Sequence, residues 1–477
     1  MALFAYFRSC NAAAGSYRAV AARLVAGGML RVASGLVCLL ASAALAGPIN
    51  PPAGPVTSTL KTLVEVEPRI AVNSVNTPAS IASQFVITQP GSYYLTGNVS
   101  AVTGKNGIEI ASKNVTLDLN GFIVDGRSLA GTLHGIRFST SVPVTNVTVL
   151  NGTVSNWSGS GVEGPGGSYC RYERLLVESN DEGGIITGSN CTVRVCTAIN
   201  NGLAGIDVLG NSTVTDCVSA GNTAAGIRAS SGCTISGCTA RSNSDGISTG
   251  IVCTITHCTA HSNSGAGVTA GLGNLVSQCT ASFNQGHGFV IFANSTVTAC
   301  AASNNTLHGF SGTDTIALKD CNASDNQGNG FNVTATVSIE ACTAATNDFG
   351  IFGTVANTLR NNTITSNRDG GISCSSDCTV VGNTVTANGP VGILVTSDDN
   401  RIEANNISRN TVGLSVTAPG NLIVRNSASG NTTNWSLVAG NRYGPFVDIT
   451  AAGSAAVTTN AAVSTLTSTD ANANHSY

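Results

Sequence analysis

Two stretches decide the fold. One is Cys238-Thr239-Ala240-Arg241-Ser242-Asn243-Ser244-Asp245-Gly246-Ile247, and the next is Cys258-Thr259-Ala260-His261-Ser262-Asn263-Ser264-Gly265-Ala266-Gly267-Val268. The second repeats the first about 20 residues on. The same unit extends both ways as a cysteine file: Cys196, Cys217, Cys238, Cys258, Cys279, Cys300, Cys321 and Cys342. Five residues after each cysteine stands an asparagine, as at Asn201, Asn222 and Asn243. A glycine followed by an apolar residue comes next, as at Gly205-Ile206 and Gly226-Ile227. A fixed period near 21 residues is the mark of a solenoid in which each unit stacks on its neighbours.

Within a unit, apolar and polar residues alternate, as in Val193-Arg194-Val195-Cys196. That is strand spacing. The unit is too short for a strand plus a crossover helix, which needs roughly 30 residues. It therefore closes on itself through two or three short strands, each paired with its equivalent one turn away at about 4.8 Å. The fold class expected is all-β: a single-stranded right-handed parallel β-helix solenoid of about fifteen turns, roughly 70 Å long. The Gly-apolar ladder counts those turns, from Gly107-Ile108 to Gly413-Leu414. Longer early units place projecting loops near Arg127 to Leu133 and Gly164 to Ser168.

After Cys342 the cysteine position becomes Asn362, Asn383, Asn405 and Asn426. The neighbouring inward site changes with it, from alanine (Ala198, Ala240) to Ile364, Val385 and Ile407. Exchange of small for large at adjacent sites is what a close-packed interior requires. The asparagine files read as structural, through left-handed turns, bonds to local backbone and amide stacking.

Outside the repeat, residues 1–46 read as a signal peptide, with Arg8, Arg18, Arg23 and Arg31 as the charges and Ala44-Leu45-Ala46 as the cleavage site. Residues 47–97 read as a linker and N-terminal cap, 98–435 as the β-helix, and 436–477 as a C-terminal lid with a mobile Ala/Thr/Ser-rich tail. The expected location is exported: periplasmic, extracellular or cell surface. No transmembrane helix is expected in the mature chain. Without its four leading arginines the chain carries 18 basic against 25 acidic side chains, a formal −7. That balance argues against a nucleic-acid partner.

Fourteen cysteines follow residue 46. The long file is expected to be thiol, because stacked equivalent positions do not offer disulfide geometry. Cys170 with Cys191, Cys233 with Cys253, and Cys374 with Cys378 are the disulfide candidates.

The unit V-x-x-[C/N]-x-[A/I/V]-x-x-N-x-x-x-G-I-x-V resembles the right-handed parallel β-helix repeats of the pectate-lyase-like superfamily. It is similar to the Asn-rich repeats of copper-transport-associated periplasmic and carbohydrate-binding β-helix proteins. Gln89 to Asn98 and Val115 to Gly121 resemble the entry turns of exported bacterial members. The superfamily holds lyases, glycosidases, epimerases, adhesins and proteins of no known activity, so the resemblance implies a fold and leaves the activity open.

Candidate chemistry lies on the outward side of the Gly-apolar strand. Glu109, Arg137, Glu163, Asp207 and Arg228 form an outward file there, and surface ion pairing is its plainest reading. The functional alternative is a groove for an acidic glycan. Arg137 or Arg228 would bind a uronate or abstract its proton, and Asp207, Glu109 or Glu163 would hold a Ca2+ ion were the protein a lyase. Gly286-His287-Gly288 resembles the Gly-His-Gly of polygalacturonases, which makes His287 a catalytic candidate. The one Asp-Asp pair, Asp398-Asp399, comes after it rather than before. His287 and His308 share a unit position and are candidate metal ligands, with Asn329 nearby. Arg241 and His261 share an outward position on adjacent turns. The expectation is a non-catalytic rod that binds polysaccharide or a cell-surface glycan. The alternatives are a polysaccharide lyase, epimerase or hydrolase, and an adhesin-like surface component.

Overall fold

In a computed structural model, residues 67–127, 131, 133–448 and 470–477 are described. They belong to one compact unit, 61–477. The signal peptide expected at 1–46, the linker and part of the tail lie outside the described residues. The described chain is β-strand and turn, coiled into the expected right-handed parallel β-solenoid. No helix in it is long and apolar enough to cross a membrane.

Each central turn has three strands. In one turn they are Ile185–Thr187 on a first face, Thr192–Arg194 on a second and Thr197–Ile199 on a third. Every strand pairs in parallel with its equivalent one turn on, in an unbroken register such as Ile206↔Ile227 and Ala240↔Ala260. Among the described residues the first face holds seventeen strands, two more than the fifteen Gly-apolar pairs suggest. The additional strands are terminal: Ser83–Ile87 pairs with Asn106–Ile110, and Val412–Val416 with Thr433–Leu437. Neither carries the glycine. Inside the stack that glycine is obligatory, since a Cβ at Gly267 would sit 2.7 Å from both the Asn284 amide and the Gly288 carbonyl. The apolar file fills the interior, and Phe289, Phe310 and Phe331 stack in it with ring centroids 4.8 and 4.9 Å apart. That is the strand spacing itself.

Three corners close each turn, and each bends through one left-handed residue. In the turn above these are Asn190, Val195 and Asn200, with φ of 58°, 53° and 54°. The residue after each points inward: Cys191, Cys196 and Asn201, all buried. Its backbone N–H donates to the side chain of the equivalent residue one turn on. Asn201 N donates to Asn222 Oδ1 at 2.9 Å, and Cys258 N to Cys279 Sγ at 3.4 Å. This corrects one expectation about the asparagine files. The left-handed conformer belongs to the residue before the ladder asparagine. The ladder asparagine supplies the acceptor that the corner N–H lacks, because a buried donor left alone is costly.

A second correction concerns sulfur. All fourteen cysteines are free and buried, including the disulfide candidates Cys170, Cys191, Cys233, Cys253, Cys374 and Cys378. Most thiols donate to the carbonyl two residues back, as Cys217 Sγ does to Thr215 O at 3.1 Å. Contact with Cys196, together with burial, pushes the Cys217 thiol up to about 12.

A third correction is at the C-terminus, where a mobile tail was expected to run to the end. Asn474–Ser476 is instead a strand, paired with Ser427–Ser429 and with Phe446–Asp448. Asn474 Oδ1 accepts the Asn426 N–H at 3.0 Å, so the tail supplies the next member of the ladder from 48 residues away. The Trp435 indole donates to Ser476 Oγ at 2.7 Å and holds the strand in place.

Candidate functional site

The outward file of the first face is in register as expected. Glu109 pairs with Arg137, Arg137 with Glu163, and Asp207 with Arg228. Ile186 interrupts the charges between Glu163 and Asp207. Arg228 and Asp207 form an ion pair, which ties up the guanidinium that was a catalytic candidate. Glu109 accepts from Ser83 Oγ at 2.8 Å. Arg137 makes no ion pair among the described residues, although a carboxylate lies one turn away on either side.

The structure adds two groups to this region that the sequence reading passed over, His134 and Glu182. His134 Nδ1 accepts the Ser160 N–H at 3.0 Å, and Ser160 Oγ donates to Glu182 Oε2 at 3.3 Å. Burial lowers the His134 pKa, while Glu163 and Glu182 pull it back and Arg137 opposes them. The signal was present in His134-Gly135, which matches His287-Gly288 and His308-Gly309 in unit position.

His287 and His308 stack with ring centroids 5.1 Å apart. Each ring has a backbone task. His287 Nδ1 accepts from His308 N at 3.3 Å, and His308 Nδ1 from Asn329 N at 2.9 Å. Asp245 and Asn329 do the same work at the same unit position, accepting from Ala266 N and Phe349 N. The candidate metal ligands therefore form a capping file, each with only Nε2 left over. Among the described residues no three His, Cys, Asp or Glu side chains converge as a metal site.

A different surface carries a shallow, open depression. Along the corner between the third and first faces, two hollows of about 350 and 450 Å3 meet at Gly221 and Thr223. The first is lined from Ser179 to Thr223, with Asp181 at its far end. The second is lined by Asn222, Ser242, Ser244, Ser262, Ser264 and Gln285, among others. Close approach of the preceding turn, by backbone at Gly202 and by the Asn200 side chain at Gly221, makes the floor. A Cβ at Gly202 would lie 1.9 Å from Asp181 O, and one at Gly221 would lie 2.2 Å from Asn200 Oδ1. Arg241 and His261, in register on the third face, stand one residue outside this lining. The His261 ring meets Ser262 Oγ at 3.2 Å.

The family comparison bears on the architecture. A family model described as "Right handed beta helix region" matches residues 83–251, 245–385 and 347–475. No curated protein sequence matches the chain. Among solved structures, the A-module of the Azotobacter vinelandii mannuronan C-5 epimerase AlgE4 is similar at 17% identity and a TM-score of 0.35. That match covers 74% of this chain and 90% of the other. Pectate lyase Pel9A matches at 16% identity and a TM-score of 0.28, over 59% of this chain and 78% of the lyase. The periplasmic alginate epimerase AlgG matches at 12% identity and a TM-score of 0.27, over 75% and 81%.

Proposed function

The chain belongs to the right-handed β-helix family, and we propose that it is an exported, non-catalytic rod that holds polysaccharide along its flank. One observation carries the proposal. The corner hollow runs across successive turns and is lined by hydroxyl and amide side chains that repeat with the rungs. A lining that repeats at about 4.8 Å suits a ligand that is itself a repeating chain, and hydroxyl and amide groups match its hydroxyls as donors and acceptors.

The test is to pass the mature protein over a panel of neutral and acidic glycans, following both retention and products. Retention on a glycan that leaves it chemically unchanged is expected. Unsaturated ends, new reducing ends or epimerised residues would overturn the non-catalytic part. Failure to bind any glycan would overturn the whole.

A second reading has its own observation. His134, Glu163, Glu182 and Arg137 bring together an imidazole, two carboxylates and a guanidinium that has no ion pair among the described residues. A half-buried imidazole with carboxylates beside it is the kind of group that moves protons. In that reading Arg137 holds a uronate carboxylate, His134 exchanges the proton, and the carboxylates of Glu109 and Glu163 are available to a Ca2+ ion. Product formation on alginate or polygalacturonate, lost in His134→Asn, would favour it.

A further inference from the structure

Phe283 occupies a position that the fold does not ask an aromatic to fill. It is the left-handed corner residue before Asn284, with φ 55°, and it is 62% exposed. The same corner on neighbouring turns holds Asn200, Gly221, Ser242, Ser262, Asn304 and Asp325, all with φ between 54° and 66°. Those are residues that tolerate the conformation or bond locally within it. A bulky side chain there costs conformational energy, because its Cβ crowds the carbonyl oxygen that follows. No aromatic ring stacks on Phe283 among the described residues, so burial does not offset that cost.

Phe283 sits beside the corner hollow. It is one turn on from Ser262, which lines the hollow, and two residues before Gln285, which also lines it. The side chains of Ser242, Ser244 and Gln285 make no hydrogen bond to the protein among the described residues, so their polar groups are open to a ligand. The lining carries no arginine or lysine, and its one ionisable group is the carboxylate of Asp181. A polyanion would gain nothing from such a surface.

We infer that this corner binds a neutral glycan laid along the rod axis, with the exposed face of Phe283 as the platform on which one sugar ring stacks. The inference rests on the glycan-binding reading above and narrows it to a chemical class and an anchoring residue. The ring buries the C–H face of a pyranose, and the open hydroxyl and amide groups bond its equatorial hydroxyls on successive turns. Arg241, just outside the lining, is the group an acidic chain would seek instead.

The experiment uses the whole mature chain in affinity electrophoresis and calorimetry. Soluble β-glucan, xylan, galactomannan and dextran are the neutral probes, and alginate and polygalacturonate are the acidic ones. The parent is expected to bind at least one neutral probe. Phe283→Ser should weaken that binding by about tenfold or more, and Phe283→Tyr should stay within about threefold of the parent. Serine is the residue of this corner at Ser242 and Ser262, so the unfolding midpoint of Phe283→Ser should not fall. Equal binding by the parent and Phe283→Ser would overturn the inference and leave the glycan-binding reading standing. Binding of acidic probes alone would do the same. Binding of no probe would overturn both.

Discussion

Replacing Asn305 by alanine tests the physical basis of the stack. Asn305 is fully buried in the middle of its file. Its Oδ1 accepts from Asn284 N at 3.1 Å and Asn284 Nδ2 at 2.9 Å. Its Nδ2 donates to Ala281 O at 3.1 Å and to Asn326 Oδ1 at 2.9 Å. After substitution, Asn284 Nδ2 still reaches Ala260 O, and Asn326 Oδ1 still receives Asn305 N. The Asn284 N–H alone is left with no acceptor. An orphaned buried donor costs about 1–3 kcal/mol, and each of the three further lost bonds about 1 kcal/mol, so Asn305→Ala should destabilise by roughly 5 kcal/mol. Asn431→Ala, in the half-buried last turn, should cost about half as much, because water reaches the freed groups. Asn305→Cys should fall between parent and alanine, since Cys300 Sγ already accepts the Cys279 N–H at 3.4 Å in the neighbouring file. Urea unfolding at constant m gives the free energies. Amide exchange at Asn284 localises the loss if the rod opens in parts. A cost below about 1 kcal/mol for Asn305→Ala, or one equal to that of Asn431→Ala, would refute the view that the ladder amides complete the corner backbone.

Arg228→Ala should cost at most about 1 kcal/mol, because the Arg228 side chain is 58% exposed; a loss above about 2 kcal/mol in urea would show that the pair is structural. Burial lowers the pKa of both His287 and His308; the neighbouring ring adds to this for His287, and Asp348 opposes it for His308. Below the unfolded value of about 6.5 the unfolded chain takes up protons that the folded chain refuses, so stability should fall as pH drops through that value. His308→Asn keeps an acceptor for Asn329 N and should flatten the decline in melting temperature between about pH 7 and 5; an unchanged slope would assign the decline elsewhere. Cys279, Cys300 and Cys321 should resist iodoacetamide in the folded protein and react after denaturation without reductant. Disulfides found by mass spectrometry at those positions would contradict the buried thiol file. Deleting residues 470–477 should leave Asn426 N without its acceptor and cost about 2 kcal/mol, read as faster amide exchange at Ser427–Ser429; unchanged exchange there would mean the returning strand is dispensable.

The period of the chain carries its architecture. Every turn repeats the demands of the last, so Cys196 to Cys342, the asparagines five residues on and the Gly-apolar pairs write the interior files into the sequence. The charged outward register of Asp207 and Arg228 follows from the same period. What the period does not carry is anything that differs between equivalent positions or arrives from far along the chain. Asn474 completes the ladder of Asn426 across 48 residues, and no local pattern announces that return. His134 joins Glu163 and Glu182 only because three early turns of unequal length bring them together. The ladder asparagines were legible as a file, but their partner is the N–H of a corner, and which residue takes the left-handed bend is set by how three strands close into a coil. Phe283 looks like one apolar residue among many in sequence. Its exposure beside an open polar groove depends on which side of the corner it faces, and that is a property of the closed turn.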